Sequence, residues 1–101
     1  MTIIVKNKDT LIFKEFSFKC CMGKKGTTFK KVEGDNKTPK GIFSLENVYY
    51  RKDRNLTPYT KLNCISISEK MFWCNDVRNK KYNKLIYTNK NIKHEKMFRK
   101  D

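Results

Sequence analysis

Four thiols and one imidazole, Cys20, Cys21, Cys64, Cys74 and His94, are the residues of this chain best suited to nucleophilic or metal chemistry. A cysteine acts as a nucleophile only when a base or a positive field draws off its proton. None of the four stands in CxxC spacing, and a zinc site would need His94 brought in from a distant segment. Buried free thiols are the simpler expectation, and no metal or cofactor is implied. A second group, Trp73-Cys74-Asn75-Asp76 followed by Tyr82-Asn83, sets aromatic rings beside amides and a carboxylate. Such a mixture can line a polar pocket, although a lone tryptophan is more often a core anchor with its N–H satisfied. A third group, Gly23-Lys24-Lys25-Gly26-Thr27-Thr28, combines the residue types of a phosphate-cradling loop. Its order is not that of a Walker motif, and it follows a strand without opening a helix, so a solvated turn is expected there.

Between these groups lies 31–43, Lys-Val-Glu-Gly-Asp-Asn-Lys-Thr-Pro-Lys-Gly-Ile-Phe. Glu33-Gly34-Asp35-Asn36 reads as a turn, Pro39 biases Thr38 toward extended backbone, and Gly41 releases the chain. A connection between two strands needs two to five residues, so this loop is longer and stiffer than joining requires.

The elements that must position these groups are strands. Residues 2–6 and 10–14 are β-branched and aromatic runs around Asn7-Lys8-Asp9, the pattern of a hairpin. Residues 15–21 alternate, with Phe16, Phe18 and Cys20 on one face, as in a half-buried strand. Ile42-Phe43-Ser44-Leu45 leads into a strand that ends at 48–51, a charged loop covers 51–55, and 61–68 alternates around Ile65 and Ile67. A short strand is expected at 85–88, and the last segment, 91–100, has helix-forming residues with Asn91 as a cap. The fold class expected is mainly β, a mixed sandwich or barrel-like arrangement with a short C-terminal helix.

With 101 residues the chain forms one domain at most. A mean hydropathy of −0.80 raises the question of disorder, and 13% aromatic residues with period-2 patterning answer that it folds. The net charge of +14 directs attention to polyanions. The absence of alanine and glutamine beside abundant Lys, Asn and Ile points instead to an AT-rich genome. The lysine pairs at 24–25, 30–31 and 80–81 are dispersed rather than gathered in a stripe, so nucleic acid is disfavoured as a partner. The apolar run Ile3-Ile4-Val5 is too short for a signal-peptide core, and no segment approaches the length of a membrane span.

Taken in order, the runs 20–26, 31–41, Tyr50-Arg51-Lys52-Asp53-Arg54, Trp73-Cys74-Asn75-Asp76, Tyr82-Asn83 and 95–101 resemble the L,D-transpeptidase catalytic domain family, with the YkuD-like fold. The most specific element is K-x-E-G-D-x-x-T-P-x-G: Lys31, Glu33, Gly34, Asp35, Thr38, Pro39 and Gly41 form its structural motif. Asn75 and Asn36 depart from an aspartate and a glycine common in the family, and asparagine suits a turn at both.

The resemblance implies acyl transfer between peptidoglycan stem peptides in the bacterial cell envelope. A cysteine thiolate attacks a stem carbonyl, terminal D-alanine leaves, and an amine on a neighbouring stem takes the acyl group. It also implies Thr38, Trp73, Asp76, Tyr82 and Asn83 as substrate-binding residues. The family carries its histidine and Gly-Cys nucleophile in a C-terminal segment, and neither His94 nor any of the four cysteines matches them. Residues 1–101 are therefore expected to be one C-terminally truncated domain, inactive alone. Two alternatives remain at this stage. One is a small basic module for single-stranded nucleic acid, resting on the charge and on Phe29, Tyr49, Tyr50 and Trp73. The other is a degenerate domain that holds peptidoglycan without turnover.

Overall fold

The computed structural model describes residues 2–101. It is built of short strands with no helix among the described residues, and the chain divides into two compact units, Met1–Ile42 and Phe43–Asp101.

In the first unit, β1 (Ile3–Lys6), β2 (Thr10–Phe13) and β3 (Phe16–Lys19) form an antiparallel meander in the order β1-β2-β3. The register pairs Ile3 with Phe13 and Phe13 with Phe16, and Val5 with Leu11 and Leu11 with Phe18. Directly paired residues share a face, so six apolar side chains gather on one side of this sheet. Tight turns set that register: Asn7 has φ 57° in the first and Lys14 has φ 53° in the second. The expected alternating strand is present but ends at Lys19, and Phe16 and Phe18 stay 52% and 53% exposed. Beyond it, β4 (Thr27–Thr28) pairs in parallel with β5 (Thr38–Pro39).

In the second unit, β6 (Val48–Tyr50) pairs in parallel with β7 (Cys64–Ser66). The connection 51–63 carries a turn rather than the helix usual for parallel crossovers. The strand expected from Ile42 does not form before Val48, and Ile42 and Leu45 are exposed. A second sheet runs β10-β8-β9, with β8 (Phe72–Cys74) between β9 (Leu85–Ile86) and β10 (His94–Lys96), both antiparallel to it. Met71, Cys74 and Ile86 are the buried hydrophobic residues of the described chain.

The C-terminal helix expected over 91–100 is replaced by β10. Asn91 sits at φ 56° in a turn instead of capping a helix, and His94–Lys96 pair with β8. From Ile92 to Glu95, half-buried and exposed residues alternate, which is strand periodicity. A ten-residue segment has weak helical preference by itself, and pairing against a central strand overrides it. The sheets are small and none closes into a barrel.

Candidate functional site

In the first unit, the long loop is organised by one carboxylate. Asp35 accepts hydrogen bonds from the backbone amides of Val32 (3.0 Å) and Lys37 (2.9 Å), and from the Lys31 ammonium. The Lys31 ammonium, joined by the Val32 and Lys37 amides, holds the Asp35 carboxyl at a pKa of about 2. Gly34 has φ 80° and Asn36 φ 58°, left-handed backbone that glycine and asparagine adopt most easily.

The loop is then stitched to 23–28. Thr38 Oγ1 accepts a hydrogen bond from the Gly23 amide at 2.6 Å, Lys25 N–H donates to Asn36 O at 2.9 Å, and Thr38 N–H to Gly26 O at 2.9 Å. Lys40 N–H closes the pairing on Thr28 O at 2.8 Å, where Pro39 has no donor of its own. Gly23 is fixed by contact: a Cβ there would lie 2.6 Å from backbone atoms of Lys37 and Thr38. The motif residues Lys31, Gly34, Asp35, Thr38 and Pro39 therefore act on one another or on the 23–28 turn, and Gly41 leaves the loop at φ 145°. Thr38 contributes its hydroxyl to the stitch.

In the second unit, Trp73 and Asn83 are brought together. Trp73 Nε1–H donates to Asn83 Oδ1 at 3.0 Å, and Asn83 N–H to Cys74 O at 2.8 Å, so Asn83, at φ 59°, closes the turn into β9. Tyr49 meets the Trp73 ring edge-on, with centroids 6.0 Å apart. Glu95 stands opposite Trp73 across the β8–β10 pair and accepts from Asn75 Nδ2 at 3.4 Å. Asn75 Oδ1 is buried without a hydrogen-bond partner, the one such side-chain atom found among the described residues. Asp76 turns elsewhere: its carboxylate accepts the Arg78 amide at 3.1 Å and its carbonyl the Asn79 amide at 3.0 Å, an Asx turn that continues to Tyr82 N–H on Asn79 O.

The Tyr50-Arg51-Lys52-Asp53-Arg54 run proves to be a clamp. Arg51 makes a two-point pair with Asp53 (2.8 and 2.7 Å), donates to Arg99 O, and stacks on Phe98 at 3.7 Å. Its guanidinium in turn holds the Asp53 carboxyl below the usual range. Arg54 donates to Lys100 O at 2.6 Å and to Asp101 O at 3.3 Å. Planar guanidinium groups are suited to such multiple acceptors. Sequence reasoning found the motif but not its partner, since the hydrogen bonds between them span 45 to 48 residues of chain.

The thiols are all free, and the expected buried reading fits Cys74, which is wholly withdrawn from solvent, whereas Cys21 is exposed. His94 lies opposite Cys74 in the strand register, a pairing that a helix at 91–100 would not have produced. Its Nδ1 is 2.8 Å from Ile92 O and its ring packs edge-on against Phe72. A thiol and an imidazole are thus neighbours, but a thiol with no exposed surface cannot meet a substrate carbonyl. No group of three metal-binding side chains occurs among the described residues.

A family model described as YkuD, L,D-transpeptidase catalytic domain, matches residues 1–100. This chain belongs to the L,D-transpeptidase catalytic domain family. The comparisons with curated proteins and with solved structures return no match. For this L,D-transpeptidase domain, the geometry supplies a braced loop, an aromatic–amide cluster and a guanidinium clamp. No helix of the described residues is long and apolar enough to cross a membrane.

Proposed function

We propose that residues 1–101 are the scaffold and substrate-facing part of a peptidoglycan L,D-transpeptidase that joins stem peptides through a cysteine acyl-enzyme in the bacterial cell envelope. The observation that carries this reading is the family match over residues 1–100. In the reaction, a thiolate adds to a stem carbonyl, the carbon–nitrogen bond to terminal D-alanine breaks as the amine takes a proton, and an acceptor amine then displaces the thiol. The thioester therefore conserves the acyl group without a redox partner.

On this reading the residues present position rather than react. Cys74 is buried, and neither His94 nor any of the four cysteines stands in the histidine and Gly-Cys context that the family resemblance implies for its catalytic pair, so on this reading the nucleophile and its base are assigned to sequence outside 1–101. Trp73 and Asn83, with Tyr49 against the indole, offer an aromatic surface with an amide for a peptide. Thr38 shapes the long loop of the first unit, and Asp76 shapes the 76–82 turn of the second, in which Tyr82 lies. The 101 residues are read as one domain of the family.

The test is acyl transfer with a tetrapeptide stem donor, run on this polypeptide and on a polypeptide extended past Asp101. Turnover is expected only with the extension, and only while it contains a histidine and a Gly-Cys nucleophile. Turnover by residues 1–101 alone would overturn the assignment of the nucleophile.

A further inference from the structure

The connection 51–63 between β6 and β7 is held at several points and still presents apolar side chains to water. The Tyr50 and Thr57 hydroxyls are hydrogen-bonded at 2.9 Å, and the Leu62 amide donates to Thr60 Oγ1 at 3.2 Å. The Cys64 thiol lies 3.6 Å from Leu62 O and 3.9 Å from Pro58 O, and Pro58 and Leu62 are half-buried. Leu56 and Tyr59, on either side of the tethered Thr57-Pro58 pair, are instead 93% and 109% exposed, more than Phe43, Leu45, Val77 or Tyr87 of the same unit. The fold thus holds a leucine and a tyrosine in water, where each would gain from burial against something else.

Single apolar side chains on a surface are ordinary, so the charge around these two decides what covers them. Residues 51–61 carry the cations Arg51, Lys52, Arg54 and Lys61 against one carboxylate, Asp53, which Arg51 engages in its two-point pair. No carboxylate occurs from 54 to 68, and neither Lys52 nor Lys61 takes part in an ion pair among the described residues. An apolar tip flanked by uncompensated ammonium groups is complementary to a bilayer of acidic lipids. Its acyl boundary takes leucine, its interface takes tyrosine, and its headgroups attract lysine. A nucleic acid fits less well, because bases stack on aromatic faces and leucine offers none. A second copy of the chain also fits less well, because a two-fold contact would bring the same lysines together. We propose that the 55–61 loop docks on an anionic lipid surface, with Leu56 and Tyr59 entering the interface and Lys52 and Lys61 meeting lipid phosphates. The association is peripheral and reversible, since two side chains bury far less than a spanning helix. It does not rest on the transpeptidase reading, because adsorption is read without any acyl transfer.

The test sediments the full 101-residue chain with vesicles of phosphatidylglycerol and phosphatidylcholine in equal parts, and with vesicles of phosphatidylcholine alone. Binding is expected to be about ten-fold tighter to the first, and to weaken as salt is raised. Leu56→Ser is expected to lower affinity for the anionic vesicles about ten-fold, and Tyr59→Ser about five-fold, by lost apolar burial. Lys52→Gln and Lys61→Gln are each expected to lower it about three- to five-fold, the share of one cation at an anionic surface. Val77→Ser and Lys90→Gln, elsewhere in the second unit, are expected to leave it within about two-fold, as surface substitutions do. Hydrogen exchange at the amides of 55–61 should slow when anionic vesicles are added. Equal binding to both kinds of vesicle, an unchanged Leu56→Ser/Tyr59→Ser double variant, or equal losses from the control variants overturns the proposal. So does release from the vesicles by a single-stranded oligonucleotide that fails to bind the double variant, which would make nucleic acid the occupant. A lipid-free dimer that the double variant dissociates overturns it too, by assigning the tip to a second copy. Circular dichroism of each variant separates a lost surface from a lost fold.

Discussion

In the first unit a single carboxylate, Asp35, gathers two backbone amides and a lysine, and a threonine hydroxyl ties two loops together; in the second, Met71, Cys74 and Ile86 are withdrawn from water beneath a three-stranded sheet. The first keeps its apolar strand residues partly exposed, with Ile3, Val5, Phe16 and Phe18 between 45% and 53% accessible. Polar geometry therefore specifies the loop that marks the family, while burial specifies the strand that carries Trp73. Hydrogen bonds fix direction and register but contribute little net free energy each, whereas withdrawn side chains contribute more and specify less.

The sharpest way to break this contrast is Met71→Ala, which leaves a cavity in the buried cluster. A loss of about 2–5 kcal/mol is expected in chemical denaturation. Amide exchange should accelerate in β8, β9 and β10. Next comes Gly23→Ala, where the new Cβ meets backbone at 2.6 Å. About 1–3 kcal/mol is expected, the range for overpacking, with exchange accelerated at Lys25, Thr38 and Lys40. If both variants loosened the same amides equally, the division of labour between the units would be wrong.

A smaller effect is expected from Arg51→Lys, because an ammonium cannot reproduce the two-point pair with Asp53 or the stack on Phe98. Limited proteolysis should cut 97–101 faster, leaving the buried cluster protected. Smallest is the response of the loop to acid. The folded pKa of Asp35, about 2, is below the ordinary carboxylate value of 3.8, so its contribution is present above pH 4 and is lost as pH falls toward 2. The amide signals of Val32 and Lys37 should titrate with a midpoint near 2; a midpoint near 4 would show that the Lys31–Asp35 contact does not form.

Local patterns carried much of the fold. The hairpin around Asn7-Lys8-Asp9, the turn at 33–36 and the extended backbone at Thr38–Pro39 follow from glycine, asparagine and proline geometry within a few residues. The helix expected at 91–100 failed because its propensity was local while the bonds that decided against it came from Phe72–Cys74. In the same way, 42–45 looked like a strand by composition but has no neighbouring strand to complete a ladder.

The candidate site divides along the same line. The residue order established membership of the L,D-transpeptidase catalytic domain family, and the turn chemistry of 31–41 was legible because each constraint acts between residues close in the chain. Only the tertiary structure decided that Thr38 bonds Gly23, that Trp73 bonds Asn83, that Arg51 and Arg54 hold 98–101, and that His94 lies opposite a buried Cys74. Those pairings join segments ten to forty-eight residues apart. Residue type states what each group can bond, and only the folded path of the backbone brings one such group within reach of another.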